Sequence, residues 1–295
     1  MNPESRNRAG PRIWVGAVLL LLPALLVSMD ISVLFVAAPA VVEDLDPTAA
    51  QWLWMMDVYG FVLAGLLITM GALGDRIGRR RLLLIGALAF GAASALLAAA
   101  PSPELFIAGR VLLGIGAATL APSTLSLLRA MFTDPAQRRT AVGMWTVAFA
   151  GGAVIGPVIG GVLLEFFWWG SVFLINLPVM AVLLAAGPFL LPEYRGTEHS
   201  AFDLPGAAAS LVAVIGLVQA AKRFVEYGAD GAGLVALAVG VAAMVLFVLR
   251  QRRAQDPLVD LTLFTRPAFS ASVLGNTAVS FAAVSYTHLT LPTTP

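Results

Sequence analysis

The chain alternates between long apolar runs and short polar breaks. Nine runs stand out, at residues 13–40, 51–74, 82–100, 104–128, 140–164, 171–191, 204–221, 231–249 and 268–283, each bounded by charge, proline or glycine. Most hold roughly 18–28 residues, enough to cross a hydrocarbon layer about 30 Å thick. Backbone N–H and C=O groups in lipid must pair within their own segment, so each run predicts a helix. The runs are rich in Leu, Ala and Gly and lack the two-residue alternation of a membrane barrel. The expected fold class is an all-α polytopic membrane protein.

The polar breaks orient the helices. Fifteen of the 18 Lys and Arg residues lie in the N-terminus or in loops on its side, among them Arg76, Arg79, Arg80, Arg81, Arg129, Arg138, Arg139, Arg195, Arg250 and Arg266. The opposite side holds Lys222 and Arg223, and Arg110 falls inside a run. The positive-inside rule therefore puts the N-terminus in the cytoplasm. The chain divides into a cytoplasmic N-terminus (1–12), a six-helix bundle (13–191), a cytoplasmic loop (192–203), a helix pair (204–249), a second cytoplasmic loop (250–267) and the start of a ninth span (268–283). The first run exceeds a signal-peptide core and lacks a small-residue cleavage site, so it reads as a retained span. From Val284 the sequence changes to a stretch with four threonines, His288 and two prolines, ending at Pro295. It resembles a translated sequencing-library adapter, so residues 284–295 are expected to be non-native and the protein to continue beyond them.

Composition narrows the chemistry. Charged residues make up 12% of the chain, hydrophobic ones 59%, and the mean hydropathy is +0.88, whereas a soluble domain carries about 25% charged residues. There is no cysteine, so no disulfide or thiolate metal site is possible. The two histidines, His199 and His288, lie outside the runs. Lys222 is the only lysine and has no glycine-rich loop before it, so the chain has no phosphate-cradling motif of its own. Transport would then draw on an ion gradient or a separate subunit. No metal, cofactor or nucleic-acid partner is expected.

Three ionisable residues sit deep within runs: Asp30, Asp57 and Arg110. A charge near the bilayer centre costs about 2.5–3.5 kcal/mol on insertion scales, so it faces a cavity or a partner. Counting from the outer helix ends at 1.5 Å per residue, Asp30 lies about 15 Å deep and the other two about 10 Å. Two carboxylates and one guanidinium at similar depth can share a pocket; the plain alternative is a salt bridge that only holds helices together. Trp54, Asp57 and Phe61 fall on one helical face. An aromatic face beside a carboxylate suits a bulky organic cation.

Two glycine-bearing stretches carry a family resemblance. The break after the second run reads Gly71-Ala-Leu-Gly74-Asp75-Arg76-Ile-Gly78-Arg79-Arg80-Arg81. It resembles the signature loop of the major facilitator superfamily, with Gly74 in place of an alanine. The fifth run contains Gly152-Ala-Val-Ile-Gly156-Pro157-Val-Ile-Gly160-Gly161, which resembles the antiporter motif of the drug:proton antiporters. Glycines four apart give a helix face that another backbone can approach closely, and Pro157 permits a kink. The stretches around Asp30, Trp52–Tyr59, Arg110–Gly116, Asn176–Pro178, Asp203–Gly206 and Asp256–Phe264 resemble the fourteen-helix branch. Its quaternary-ammonium pumps of the QacA/SmvA type share the Trp-x-x-Asp-x-Tyr pattern of the second run.

The resemblance implies a bacterial inner-membrane secondary transporter rather than an enzyme. It implies a six-helix N-terminal bundle, an inserted pair at spans seven and eight, and the opening of a C-terminal bundle. Export of hydrophobic or cationic compounds would be coupled to the proton gradient. Asp30 and Arg110 would couple protons, while Asp57, Trp54, Phe61 and Tyr59 would bind substrate. Gly71, Gly74, Asp75, Arg76, Gly78, Arg79, Arg80, Gly152, Gly156, Pro157, Gly160 and Gly161 would govern conformational change. The partners would be membrane lipid and a small-molecule substrate, with a monomeric protein. Export of an endogenous metabolite or antibiotic, or a non-transporting sensor or assembly subunit, are the rival readings.

Overall fold

The computed structural model describes residues 9–195, 203–228, 230–254, 261–275 and 277–278. Among them, eight helical stretches are long and apolar enough to cross a membrane. They are α1 (Pro11–Leu45), α2 (Ala49–Ile77), α3 (Arg79–Ala98), α4 (Pro103–Met131), α5 (Pro135–Phe166), α6 with α7 (Ser171–Leu174 and Asn176–Leu190), α8 (Leu204–Tyr227) and α9 (Gly231–Arg253). Ile175, between α6 and α7, keeps helical backbone angles (φ −59°, ψ −24°), so the two form one span of 20 residues, Ser171–Leu190. A 3₁₀ turn covers Leu261–Thr265. Within the expected ninth span, residues 268–275 and 277–278 are helical, and its remainder lies outside the described residues. So do residues 284–295 and most of the 192–203 loop.

The helix starts follow from local chemistry. Thr48 accepts from the Gln51 amide while Gln51 reaches back to the Thr48 backbone, a reciprocal cap. Ser102, Asp134 and Asp203 each cap a helix that has proline in its first turn, where the missing N–H costs nothing. The ends are as local. Asp46 closes α1 in the left-handed region at φ 43°. Gly78 separates α2 from α3 at φ 109°, a backbone conformation that favours glycine. α1 has 35 residues, about 52 Å at 1.5 Å per residue, so it extends beyond the hydrocarbon layer.

Helices α1–α7 form one bundle. α1 packs along α5, α4 packs against both α2 and α3, and α7 lies against α3 and α1. The interior holds Arg110, Tyr59, Phe90, Phe106, Phe132 and Phe173, all fully buried. Val147, Val154, Val158 and Phe189 are exposed by 67–75%, an outward apolar face suited to lipid. α8 and α9 pair closely: a Cβ at Gly216 would lie 2.7 Å from the Gly240 Cα. This pair meets the bundle mainly through α8 on α2. There a Cβ at Gly65 would press into Leu211, and Ser210 donates to the Gly65 carbonyl at 3.0 Å.

Candidate functional site

The deepest polar constellation joins α1, α2 and α4. Arg110 donates from an Nη nitrogen to Asp30 Oδ2 at 2.5 Å, with the two side chains only 2% and 1% exposed. The guanidinium also donates to the backbone carbonyls of Met55 at 3.2 Å and Met56 at 3.4 Å. Its carbon lies 4.5 Å from the centroid of the Tyr59 ring, and the Tyr59 hydroxyl donates to the Val27 carbonyl at 2.9 Å. Arg110 is thus held on several sides by groups that accept hydrogen bonds or present a π face. Asp30 is satisfied on one oxygen only, because Oδ1 is buried without a hydrogen bond. Asn176, in the sixth span, donates to Ser94 Oγ at 3.0 Å.

Asp57 does not join this cluster. The three deep charges were expected to share a pocket, and the structure separates them. Residues two apart on a helix point to nearly opposite sides. Tyr59 therefore faces Asp30 and Arg110, while Asp57 faces α8. Tyr59 was also grouped with the substrate-binding residues, yet it is 1% exposed and belongs to the buried pair. Asp57 forms an ion pair with Lys222 of α8. A cavity of about 630 Å³ opens beside them, lined by Leu53, Trp54, Asp57, Phe61, Gln219 and Lys222 among others. Trp54 and Phe61 meet edge to face at 6.2 Å, and the Lys222 ammonium lies 5.7 Å from the Phe61 centroid.

The glycine stretch of α5 lies along α1. A Cβ on Gly152 would strike the Leu25 carbonyl oxygen, one on Gly156 the Ser32 hydroxyl, and one on Gly160 would come within 2.8 Å of Val33. Gly161 faces open space, so it stands apart from this seam. Pro157 lies inside α5 without ending it.

The α2–α3 turn is anchored from two directions. Asp75 accepts from Arg79 Nε at 2.8 Å. Glu193, beyond α7, accepts from the Arg80 backbone N–H at 3.1 Å and lies near the Arg80 and Arg81 guanidiniums, at 3.6 and 3.8 Å. The Arg80 guanidinium also donates to the carbonyls of Pro188 and Leu191, at 3.1 and 3.0 Å. A Cβ on Gly74 would lie 2.9 Å from the Arg79 side chain, and one on Gly78 would overlap the Glu193 carboxylate. Gly71 has open space around it, and Arg76 is half-buried.

Sequence reasoning missed Lys222, Glu193 and Asn176 as partners. Lys222 and Glu193 sit at helix ends, where a lone charge is ordinary. Only the pairing of the helices reveals what each one meets. Asn176 entered the sequence reading only through the Asn176–Pro178 resemblance, although a polar amide inside an apolar run is itself a signal that it needs a partner.

Comparison with known proteins places this geometry in context. The Major Facilitator Superfamily model matches residues 20–291. The chain is 46% identical over 272 residues to the multidrug efflux pump LfrA of Mycolicibacterium smegmatis, covering 92% of this chain and 54% of that protein. It is 39% identical over 271 residues to the methyl viologen resistance protein SmvA of Salmonella typhimurium, covering 91% and 54%. It is 37% identical over 250 residues to the puromycin resistance protein pur8 of Streptomyces alboniger, covering 84% and 50%. The chain thus spans about half the length of the curated relatives it matches.

Proposed function

The chain belongs to the Major Facilitator Superfamily, and from that membership we propose that the protein is a drug:proton antiporter of the fourteen-helix branch, exporting hydrophobic or cationic compounds by alternating access. The observation that carries this reading is the Asp30–Arg110 pair, buried to 1–2% exposure inside the helix bundle. Ionisable groups at such depth are costly and mark ion or proton pathways. Asp30 has one oxygen held and one unpartnered, so it can take up a proton without first breaking its bond to Arg110. Once protonated it would no longer hold the guanidinium by charge, and α1 and α4 would be free to shift. The α5 glycine seam against α1 supplies a surface on which such a shift can occur without side chains interlocking. The Asp75–Arg79 and Glu193 contacts at the α2–α3 turn would latch one conformation at the membrane face.

The same reading places the protein in the bacterial inner membrane as a monomer with a cytoplasmic N-terminus. It makes α8 and α9 an inserted pair and gives the central substrate path a second wall in a C-terminal bundle. The names of relatives that confer resistance to drugs and viologens support the substrate class. The test is dye efflux from proteoliposomes holding a full-length version under an imposed pH gradient. Efflux that needs the gradient and vanishes in Asp30→Asn is expected. Gradient-independent movement, or normal export by Asp30→Asn, overturns the proposal. Orientation is checked separately with single cysteines introduced into this cysteine-free chain; labelling of position 79 from outside would reverse it.

A further inference from the structure

We infer that the Lys222 ammonium is a tethered cation filling the carboxylate–aromatic pocket between α2 and α8, and that an organic cation enters this pocket by displacing it. This rests on the proposed export of cationic compounds and specifies one site at which a cation is first held.

The pocket has what a bulky cation requires. A carboxylate, Asp57, stands one helical turn from both Trp54 and Phe61, and these rings line the same cavity of about 630 Å³. That volume lies within the range of sites for drug-sized molecules, about 300–1,000 Å³. The Lys222 ammonium already satisfies both features. It pairs with the carboxylate and lies near the Phe61 ring. The chain therefore presents its own positive charge where a ligand's charge would go.

Displacement is easy because the pair is only half-buried, with Lys222 41% and Asp57 25% exposed. Partly exposed ion pairs contribute about 0–1 kcal/mol. Lys222 lies near the end of α8, on a flexible stem that can carry its ammonium into water while the methylenes stay on the helix. The neighbouring cation, Arg223, is engaged by Asp230 at the start of α9, so it does not automatically replace Lys222. A ligand that brings only one charge then leaves the pocket neutral, as Lys222 does. One with two charges needs a second anion or water.

A competing internal cation weakens apparent affinity by the fraction of time the pocket is closed to the ligand. With a pair worth up to about 1 kcal/mol, removing the ammonium should tighten binding by up to about fivefold. A purely structural Lys222, one that pins α8 to α2, makes the opposite prediction: its loss would loosen the pocket and weaken binding.

The experiment is equilibrium binding of tetraphenylphosphonium to the purified 295-residue chain in detergent, followed by quenching of tryptophan fluorescence. No gradient is applied, so the result stands whether or not the protein transports. Lys222→Gln should bind severalfold more tightly and Lys222→Arg like the parent. Asp57→Asn should bind more weakly, and adding Lys222→Gln to Asp57→Asn should bring no gain. A second measurement needs no substitution. Lys222 is the only lysine, so acetylation of its amine, read by mass spectrometry of its own peptide, reports whether it is free. Saturating tetraphenylphosphonium should accelerate that acetylation. Unchanged or weaker binding by a folded Lys222→Gln, or an acetylation rate that is unchanged or slowed by the ligand, overturns the inference.

Discussion

Two carboxylate–cation pairs cross between helices in this protein, and they differ in burial. Asp30 and Arg110 are almost fully enclosed, whereas Asp57 and Lys222 are each more than a fifth exposed. Enclosure makes the first pair costly to break, because a lone buried charge has neither solvent nor partner. Exposure makes the second exchangeable, because the cavity beside it leaves room for another cation at the carboxylate. The same chemistry thus serves two purposes: a pair that must change its protonation to change its geometry, and a pair that can trade one cation for another.

Breaking the buried pair should have the largest effect. Arg110→Ala leaves the Asp30 charge unmatched and should destabilise the protein by about 3–5 kcal/mol, seen as a lower melting temperature in detergent and as lost export. Asp30→Asn should also abolish gradient-driven export of every substrate and lower the melting temperature, since its amide still accepts from Arg110 but leaves the buried guanidinium without a counter-charge. Parent-like melting of both variants would show that the pair is no more than a surface-like contact.

The seam beside the buried pair should come next. Gly156→Leu would drive its side chain into Ser32 and the Met29 carbonyl on α1. Overpacking of this kind costs about 1–3 kcal/mol, so insertion should persist while export is lost. Normal efflux by that variant would make the glycines ordinary packing. At the exposed pair, Asp57→Asn should reduce export of divalent cations most and spare some neutral compounds. An identical substrate profile for the Asp30 and Asp57 variants would erase the distinction between the two pairs.

The smallest effect should appear at Asp203, which caps α8 and pairs with Arg250 at the end of α9. The hydrogen bond from Arg250 is the main reason the Asp203 carboxyl titrates below the usual carboxylate range, and the Gly206 N–H adds to it against the opposing effect of burial. A lowered folded-state value means that the contribution is complete above the unfolded-state value, about 3.9. It is lost as pH falls through the folded value. Asp203→Asn keeps the cap but not the charge, and should lower stability by at most about 1 kcal/mol at neutral pH. The gap from the parent should close in strong acid; melting curves across pH check it.

Much of the fold was legible because lipid leaves the backbone few choices. A long apolar run must be a helix, and the first eight runs do fall within the eight long apolar helical stretches, give or take a few residues at their ends. Asp30 and Arg110 drew attention for the related reason that a charge within such a run needs a partner. What the text could not supply was direction around each helix axis. Asp57 and Tyr59 are two residues apart and serve different neighbourhoods, and only the docking of α8 on α2 decides which is which. Lys222 was hidden for the same reason: its partner lies 165 residues away. Glu193 stands in a polar loop, where one acidic residue gives no hint that it anchors the α2–α3 turn.

That long separation has a consequence for biogenesis. Helices enter the membrane as the ribosome makes them, at roughly 5–20 residues per second. The 165 residues between Asp57 and Lys222 therefore correspond to a delay of roughly 8–30 s at that pace. Towards its end the six-span bundle is complete but the Asp57 carboxylate still lacks its ammonium. Nascent α2 must keep that side chain at the water-facing margin, or be shielded by the insertion machinery, until α8 arrives. Arrest of translation just before residue 222 would catch the protein in this half-finished state, and there an added amphiphilic amine could act as a temporary chaperone for the unpaired acid.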